Sequence, residues 1–120
     1  MCSSLLKKKY KQDQLLSLLD RKIHIYKSVL QYSQKISGLC QRKALSWKEV
    51  LLHIKKKKLL LSCIDDVEKQ IVSLCDWEEI MADTCIEKKT EELKQLIAQI
   101  LAQDQQSREL LSLHFKSVFG

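Results

Sequence analysis

The sequence contains no proline, no asparagine and two glycines, Gly38 and Gly120, in 120 residues. These residue types form most of the tight turns that all-β and α/β folds need at short intervals. Their scarcity leaves almost nothing that would interrupt a helix. The sequence therefore predicts an all-α fold, and its length suits one domain.

The chemistry of common catalytic and cofactor sites is also missing. The sequence has no glycine-rich phosphate loop, and its histidines, His24, His53 and His114, are scattered. Asp20 and His24, like Glu49 and His53, are four residues apart, a spacing that favours two surface ion pairs over a metal site bridging two helices. We predict a protein that is not an enzyme and holds neither a metal nor a cofactor.

Segments that would direct the chain into or across a membrane are not evident in the sequence. No stretch approaches the roughly eighteen apolar residues of a membrane span. Residues 1–9 hold no apolar run of the length that a secretion signal has. The five cysteines are an odd number and widely spaced, with no Cys-x-x-Cys pair. We expect a cytoplasmic, reduced setting, in which most thiols act as small hydrophobic groups.

Apolar residues recur mostly every three or four positions and define three helical segments. The segments cover residues 11–40, 46–75 and 77–113 of a single helical domain, 1–120. Gly38 lies near the end of the first, where tolerance of positive φ is useful. Ser46 and Glu49 form a capping box that starts the second. We predict an elongated, antiparallel three-helix hairpin or bundle with coiled-coil-like packing.

Charge divides the sequence into two unlike halves. Residues 1–60 contain 15 Lys and Arg against 3 Asp and Glu, whereas residues 61–120 contain 6 against 12. We expect helices that pack against each other with complementary charge. For the basic runs 7–11 and 55–58, a solvated face or pairing with acidic residues is favoured over contact with nucleic acid or an anionic membrane.

The third segment carries the strongest pattern for recognising another helix. Residues 93–101 are apolar at i, i+3, i+4, i+7 and i+8, which is a full set of anchors for helix-to-helix binding. Residues 103–108 are polar and interrupt this line. We expect weaker core packing there, and the sequence leaves open whether residues 103–120 are ordered without a partner.

Several segments together share the pattern of apolar and charged residues that is typical of one known family. They are residues 15–22 (LLSLLDRK), 25–30 (IYKSVL), 47–52 (WKEVLL), 57–60 (KKLL), 64–68 (IDDVE) and 97–104 (IAQILAQD). Over about residues 12–112 the sequence resembles the FlgN-type flagellar export chaperones. These are small cytoplasmic all-helical proteins that serve type III secretion.

The resemblance implies a chaperone that binds helical segments of secreted substrates, such as flagellar hook-associated proteins, prevents their premature assembly and delivers them to the export apparatus. In that family the C-terminal helix is the usual client surface. The matching partner-binding positions here are Leu93, Leu96, Ile97, Ile100, Leu101, Leu110 and Leu111. The alternatives are a structural coiled-coil subunit or adaptor of a larger complex, and a basic binder of nucleic acid or membrane surfaces; homodimerisation stays open.

Overall fold

The computed structural model describes the backbone of residues 2–74 and 84–119, and the side chains of residues 9–74 and 84–116. This part of the chain forms three helices: α1 (Cys2–Cys40), α2 (Trp47–Leu74) and α3 (Thr84–Phe119). The described residues contain no strand, so the predicted all-α fold is confirmed. The molecule measures 71 × 21 × 18 Å, in agreement with the predicted elongated shape.

The helix bounds differ from the predicted ones at two ends. α1 begins at Cys2 instead of residue 11, because residues 2–10 contain no breaker and are rich in leucine and lysine, which favour helix. α3 continues to Phe119 instead of ending at 113, and the polar residues 103–108 do not interrupt it. α2 agrees with its prediction to within one residue. The predicted start of the third helix at 77 lies outside the described residues.

α1 is the central helix of the bundle. It packs against both α2 and α3, whereas the backbones of α2 and α3 approach each other much less closely. Lys22 of α1 pairs with Glu68 of α2, and Tyr32 of α1 packs on His53, so α2 runs antiparallel to α1. α3 runs parallel to α1 and therefore antiparallel to α2.

Two apolar clusters hold the helices together. The larger draws on all three helices and consists of Leu15, Leu19, Ile23, Ile25, Val29, Ile64, Val67, Ile71, Ile86, Leu93, Leu96 and Ile100. The smaller closes the other end and consists of Ile36, Leu39, Cys40 and Val50. Complete burial of one such aliphatic side chain stabilises a fold by about 1.5–3 kcal/mol, so these clusters dominate its stability.

A buried polar contact joins α1 to α3 at the polar segment of α3. Ser37 Oγ donates a hydrogen bond to the carbonyl oxygen of Gln103 (3.1 Å) and lies 2.8 Å from Ser107 Oγ. Ser37 and Ser107 are both buried. The weak packing that we expected at residues 103–108 is therefore not found at Ser107. Two short side chains are hydrogen-bonded there, and their small size lets α1 and α3 lie close together.

The end of α1 is closed without a left-handed residue. Gly38 lies inside the helix, and the described residues include no glycine with positive φ, so the predicted use of Gly38 is wrong. The Gln41 N–H donates to the Ser37 carbonyl (3.2 Å). His114 Nε2 of α3 donates to the Cys40 carbonyl (2.9 Å), which supplies a partner to one of the carbonyl groups that a helix end leaves free.

The start of α2 follows its sequence signal in part. The Glu49 N–H donates to Ser46 Oγ at 3.4 Å, which is the first half of the predicted capping box. The Glu49 carboxylate does not return to the Ser46 backbone but pairs with Arg42 at 3.9 Å. The cap that a serine provides is typically worth about 1 kcal/mol, and the reciprocal bond is replaced here by a surface ion pair.

Candidate functional site

The predicted partner-binding residues occupy three kinds of environment. Leu93, Leu96 and Ile100 are buried in the larger cluster, and each is less than a tenth exposed. Leu110 and Leu111 are half-buried against the smaller cluster, and Ile97 is also half-buried. Leu101 alone of the seven is well exposed, at 57%. Their role in binding stays a prediction. Leu96 and Ile100 are covered by the packing of the bundle, whereas Leu93 also lines a cavity between the helices.

Exposed apolar side chains are more numerous on other surfaces. The large ones in the described residues are Tyr10, Trp47, Leu51, Leu52, Leu59, Leu61, Val72, Leu101, Leu113 and Phe115. Six of these ten lie on α2, a helix for which no apolar binding surface was predicted from the sequence. Residues 50–52 and 59–61 are consecutive apolar triplets, and a helix buried along a single stripe cannot cover every member of such a triplet. These triplets are a sequence feature from which a second apolar surface could have been predicted, although no such surface was predicted from them.

One group of exposed apolar residues lies where α2 and α3 face each other. Lys57 Nζ is 2.5 Å from both carboxylate oxygens of Asp104, and Trp47 meets Phe115 edge-on with ring centroids 5.4 Å apart. These two contacts fix the antiparallel register of the two helices. We call the surface along which α2 and α3 face each other the α2–α3 seam. Its apolar residues are Trp47, Leu61, Val72, Ile97, Leu101 and Phe115.

The register places the middle residues of the seam opposite each other. Leu61 follows Lys57 by four residues and so lies on the same side of α2. Leu101 precedes Asp104 by three residues and shares its side of α3. Because the helices are antiparallel, Leu61 and Leu101 stand at one level, on the same side of the ion pair. Their side chains are 38% and 57% exposed, so the seam has an apolar residue on each wall.

A cavity opens at the far end of the seam. Its volume is about 300 Å³, and all three helices line it, among them Leu15 and Leu19 of α1, Ile71 and Val72 of α2, and Ile86 and Leu93 of α3. The Lys22–Glu68 ion pair, at 3.0 Å, lies at its edge. An apolar lining with one charged pair suits an apolar group that enters from the seam.

The second group of exposed apolar residues lies on the side of α2 that faces away from α1. Leu51, Leu52 and Leu59 are each at least half exposed. Lys48, Lys55, Lys56 and Lys58 lie among or beside them along the helix, and a shallow depression of about 410 Å³ is bounded by residues of α2. We call this surface the α2 outer face; it consists of the three leucines and these four lysines.

Complementary charge between the two halves of the sequence is confirmed for three lysines. Lys22 pairs with Glu68, Lys27 with Glu92 at 3.5 Å, and Lys57 with Asp104. The Lys57–Asp104 pair is the least exposed of these, with side-chain exposures of 14% and 22%. Partial burial reduces solvent screening, so this pair contributes more to stability than the exposed ones.

The two carboxylate–imidazole pairs expected from the sequence do not form. Asp20 bonds instead to Lys89, and Glu49 pairs with Arg42. His53 packs on the Tyr32 ring with centroids 5.8 Å apart. Within the described ranges, no group of three or more His, Cys, Asp or Glu side chains is arranged to hold a metal ion.

Two titratable groups are shifted by their surroundings. Burial raises the pKa of the Cys40 thiol above its ordinary value of 9.0. Burial also raises the pKa of the Tyr26 phenol, and the nearby Glu68 and Asp65 carboxylates add to that increase. Both shifts favour the neutral form of the side chain, which is the protonated thiol of Cys40 and the protonated phenol of Tyr26. They are typical of structural groups, because a reactive thiol needs a lowered pKa.

None of the helices in the described ranges is long and apolar enough to cross a membrane. Comparison with protein-family models finds no match, and neither curated proteins nor solved structures match the chain.

Proposed function

We propose that this chain is a protein-binding helical bundle that holds an amphipathic helix of another protein in the α2–α3 seam. The observation that carries the proposal is the exposure of Leu61 and Leu101. The register fixed by the Lys57–Asp104 and Trp47–Phe115 contacts places these two leucines at one level on opposite walls. A helix bound between two others buries its apolar side against both, as in other helix-in-groove complexes. Such a partner would cover apolar surface that α2 and α3 leave in water.

The two ends of the seam give the bound helix further contacts. At one end, the cavity lined by Leu15, Val72 and Leu93 accepts an apolar side chain from the partner. At the other end, the exposed edges of Trp47 and Phe115 supply aromatic surface, which is enriched among residues that dominate binding energy. A few apolar anchors would therefore set affinity, and the surrounding charges would mainly orient the partner.

The proposed biological role is that of a cytoplasmic chaperone for export. The resemblance to the FlgN-type chaperones supports a partner that is a secreted flagellar hook or filament protein, or another type III substrate. Covering the apolar side of its helix would prevent premature assembly, because that side makes the contacts of the assembled polymer. A structural coiled-coil subunit would use the same seam for a permanent partner, so reversible binding distinguishes the two roles.

The test is affinity capture from the native cytoplasm at moderate salt, with captured proteins identified by mass. The variant carries Leu61→Asp and Leu101→Asp, and the matched control is Leu113→Asp, which changes an exposed leucine of α3 that is not in the seam. We expect a secreted helical protein to be captured by the native chain and by the control, and to be lost from the double variant. Equal capture by all three would contradict binding in the seam.

Charge variants separate this role from electrostatic binding. Changing Lys55, Lys56 and Lys58 to Gln removes exposed charge from α2 but leaves the Lys57–Asp104 ion pair in place. Because the seam binds through apolar residues, we expect these variants to keep most of the captured partner. Loss of most of it would favour a basic surface as the binding site.

A further inference from the structure

The α2 outer face combines apolar and basic side chains within about three helical turns. Leu52 and Leu59 are seven residues apart and lie on one side of the helix, with Lys48, Lys55 and Lys56 at intermediate three- and four-residue steps. Leu59 is among the most exposed large apolar residues of the described part, at 68%. Leu51 and Leu52 line one depression together with Lys48 and Lys55, and Leu59 lies two turns further along the helix.

The charge of this face is not compensated within the described part of the chain. Lys57 has a carboxylate partner in Asp104, but Lys48, Lys55, Lys56 and Lys58 have no ion pair with any described residue. The carboxylate of Glu49, which also lines the depression, pairs with Arg42. Several unpaired positive charges on one side raise the local potential and attract an anionic surface.

The exposed leucines of the α2 outer face help to decide which kind of anionic partner binds there: nucleic acid, an acidic helix or a lipid surface. Nucleic acid binds basic proteins through its phosphates and through stacking of bases on aromatic rings, and exposed leucines add little to either contact. A partner helix pairs with a single helix through a continuous apolar stripe, whereas on this face lysines separate the leucines and the shallow depression is lined by Lys48 and Lys55 as well as by leucines. A lipid surface requires no groove. Leucines enter the boundary between headgroups and acyl chains, and the long stems of neighbouring lysines carry their charges out to the lipid phosphates.

We propose that the α2 outer face docks the chain on an anionic phospholipid surface. Leu51, Leu52 and Leu59 enter the boundary between headgroups and acyl chains, and the lysines bind the lipid phosphates. The chain lies on the surface without crossing it. Leu59 belongs to the outer face, whereas Leu61 belongs to the seam, because two residues along a helix point to nearly opposite sides. Docking thus leaves the seam open, and the proposal does not depend on the proposed function.

The experiment is sedimentation of the full chain with vesicles, at low and at physiological salt. One set is phosphatidylcholine alone, and the other contains roughly one third phosphatidylglycerol, to supply the negative surface charge that basic proteins need. We expect binding to the anionic vesicles only, with the bound fraction falling as salt rises. No binding, or equal binding to neutral vesicles, overturns the proposal.

Matched variants test the contribution of each residue type. Leu52→Ser with Leu59→Ser should weaken partitioning by about tenfold or more, since burial of apolar surface is lost. Leu113→Ser, which changes a leucine of α3 that is 61% exposed, should have no effect. Because the altered side chains are exposed, circular dichroism and thermal unfolding should match those of the native chain.

The lysines have their own pair of variants. Lys55→Gln with Lys56→Gln should reduce binding by about fivefold for each charge removed, whereas Lys88→Gln with Lys94→Gln, on exposed positions of α3, should change it little. If both lysine pairs weaken binding equally, or if the leucine variants bind like the native chain, the contact is a general attraction to polyanions and the proposal fails.

Discussion

Ser37 of α1 and Ser107 of α3, seventy residues apart in the sequence, hold their hydroxyl oxygens 2.8 Å apart in the interior. Ser37 donates its proton to the Gln103 carbonyl, so Ser107 is the donor in the bond between the two serines. Both hydroxyls are therefore satisfied in a place where water is excluded. The pair fixes the register between two parallel helices at the end of the larger apolar cluster.

Removal of either serine hydroxyl should lower the free energy of unfolding. Removal of both should lower it by less than the sum of the two single losses. Ser37→Ala leaves Ser107 without an acceptor, which we expect to cost about 1–2 kcal/mol. In the double variant no hydroxyl is left unpaired, so a coupling of about 1 kcal/mol should appear in urea unfolding. Ser73→Ala, at an exposed serine of α2, is the control, and strictly additive costs would contradict the pairing.

Ile100 and Leu101 are neighbours in the sequence with opposite exposure, and their variants should separate folding from binding. Ile100→Asp places a carboxylate in the larger cluster, where Ile100 is 7% exposed, and should cost several kcal/mol, roughly 4. Leu101→Asp should change the free energy of unfolding by less than about 0.5 kcal/mol, because the side chain is exposed. Denaturant unfolding measures both values, and similar losses would contradict the placement of α3.

The ion pair between Lys57 and Asp104 should contribute more than the exposed pair between Lys27 and Glu92. Asp104→Asn leaves a partly buried lysine without a counter-charge, and we expect a loss of about 1–3 kcal/mol. Glu92→Gln should cost less than about 0.5 kcal/mol, since both side chains of that pair are about half exposed. The difference between the two losses should persist at high salt, and its disappearance there would indicate a solvated Lys57–Asp104 pair.

Alkaline pH should destabilise the fold through the Cys40 thiol. In the unfolded chain this thiol ionises near its ordinary pKa of 9.0, whereas burial keeps it protonated in the fold at higher pH. The unfolded state then binds fewer protons, so the free energy of unfolding falls as pH rises above about 9. Cys40→Ala should flatten this dependence in reducing buffer. Cys63→Ser, at an exposed thiol, should leave it unchanged, and an unaltered slope in Cys40→Ala would contradict the assignment.

The local features of the fold were predictable from the sequence, because their causes are local. The absence of breakers predicts long helices, and Ser46 marks the start of α2 through a bond to a residue three positions away. The extension of α1 to Cys2 was missed because residues 2–10 carry little apolar periodicity. Helix propensity continues where the apolar pattern that defined the segment stops.

The arrangement of the helices was not predictable, because periodicity shows that a stripe is apolar without showing what covers it. Leu93, Leu96 and Ile100 have the spacing of a partner surface, but α1 packs on them. The polar residues 103–108 indicated weak packing, and only the position of Ser37 in space shows that Ser107 has a partner. The seam likewise depends on how far α2 lies from α3, a distance that the sequence does not encode locally.

The central position of α1 has a consequence for biosynthesis. Of the three helices, α1 leaves the ribosome first, yet it is the one that both of the others must cover. α2 can fold back on it at once. The side of α1 that receives α3 stays exposed to solvent until residues near His114, which closes the end of α1, have been made. Until then, the nascent chain displays an uncovered apolar strip, of the kind that molecular chaperones bind.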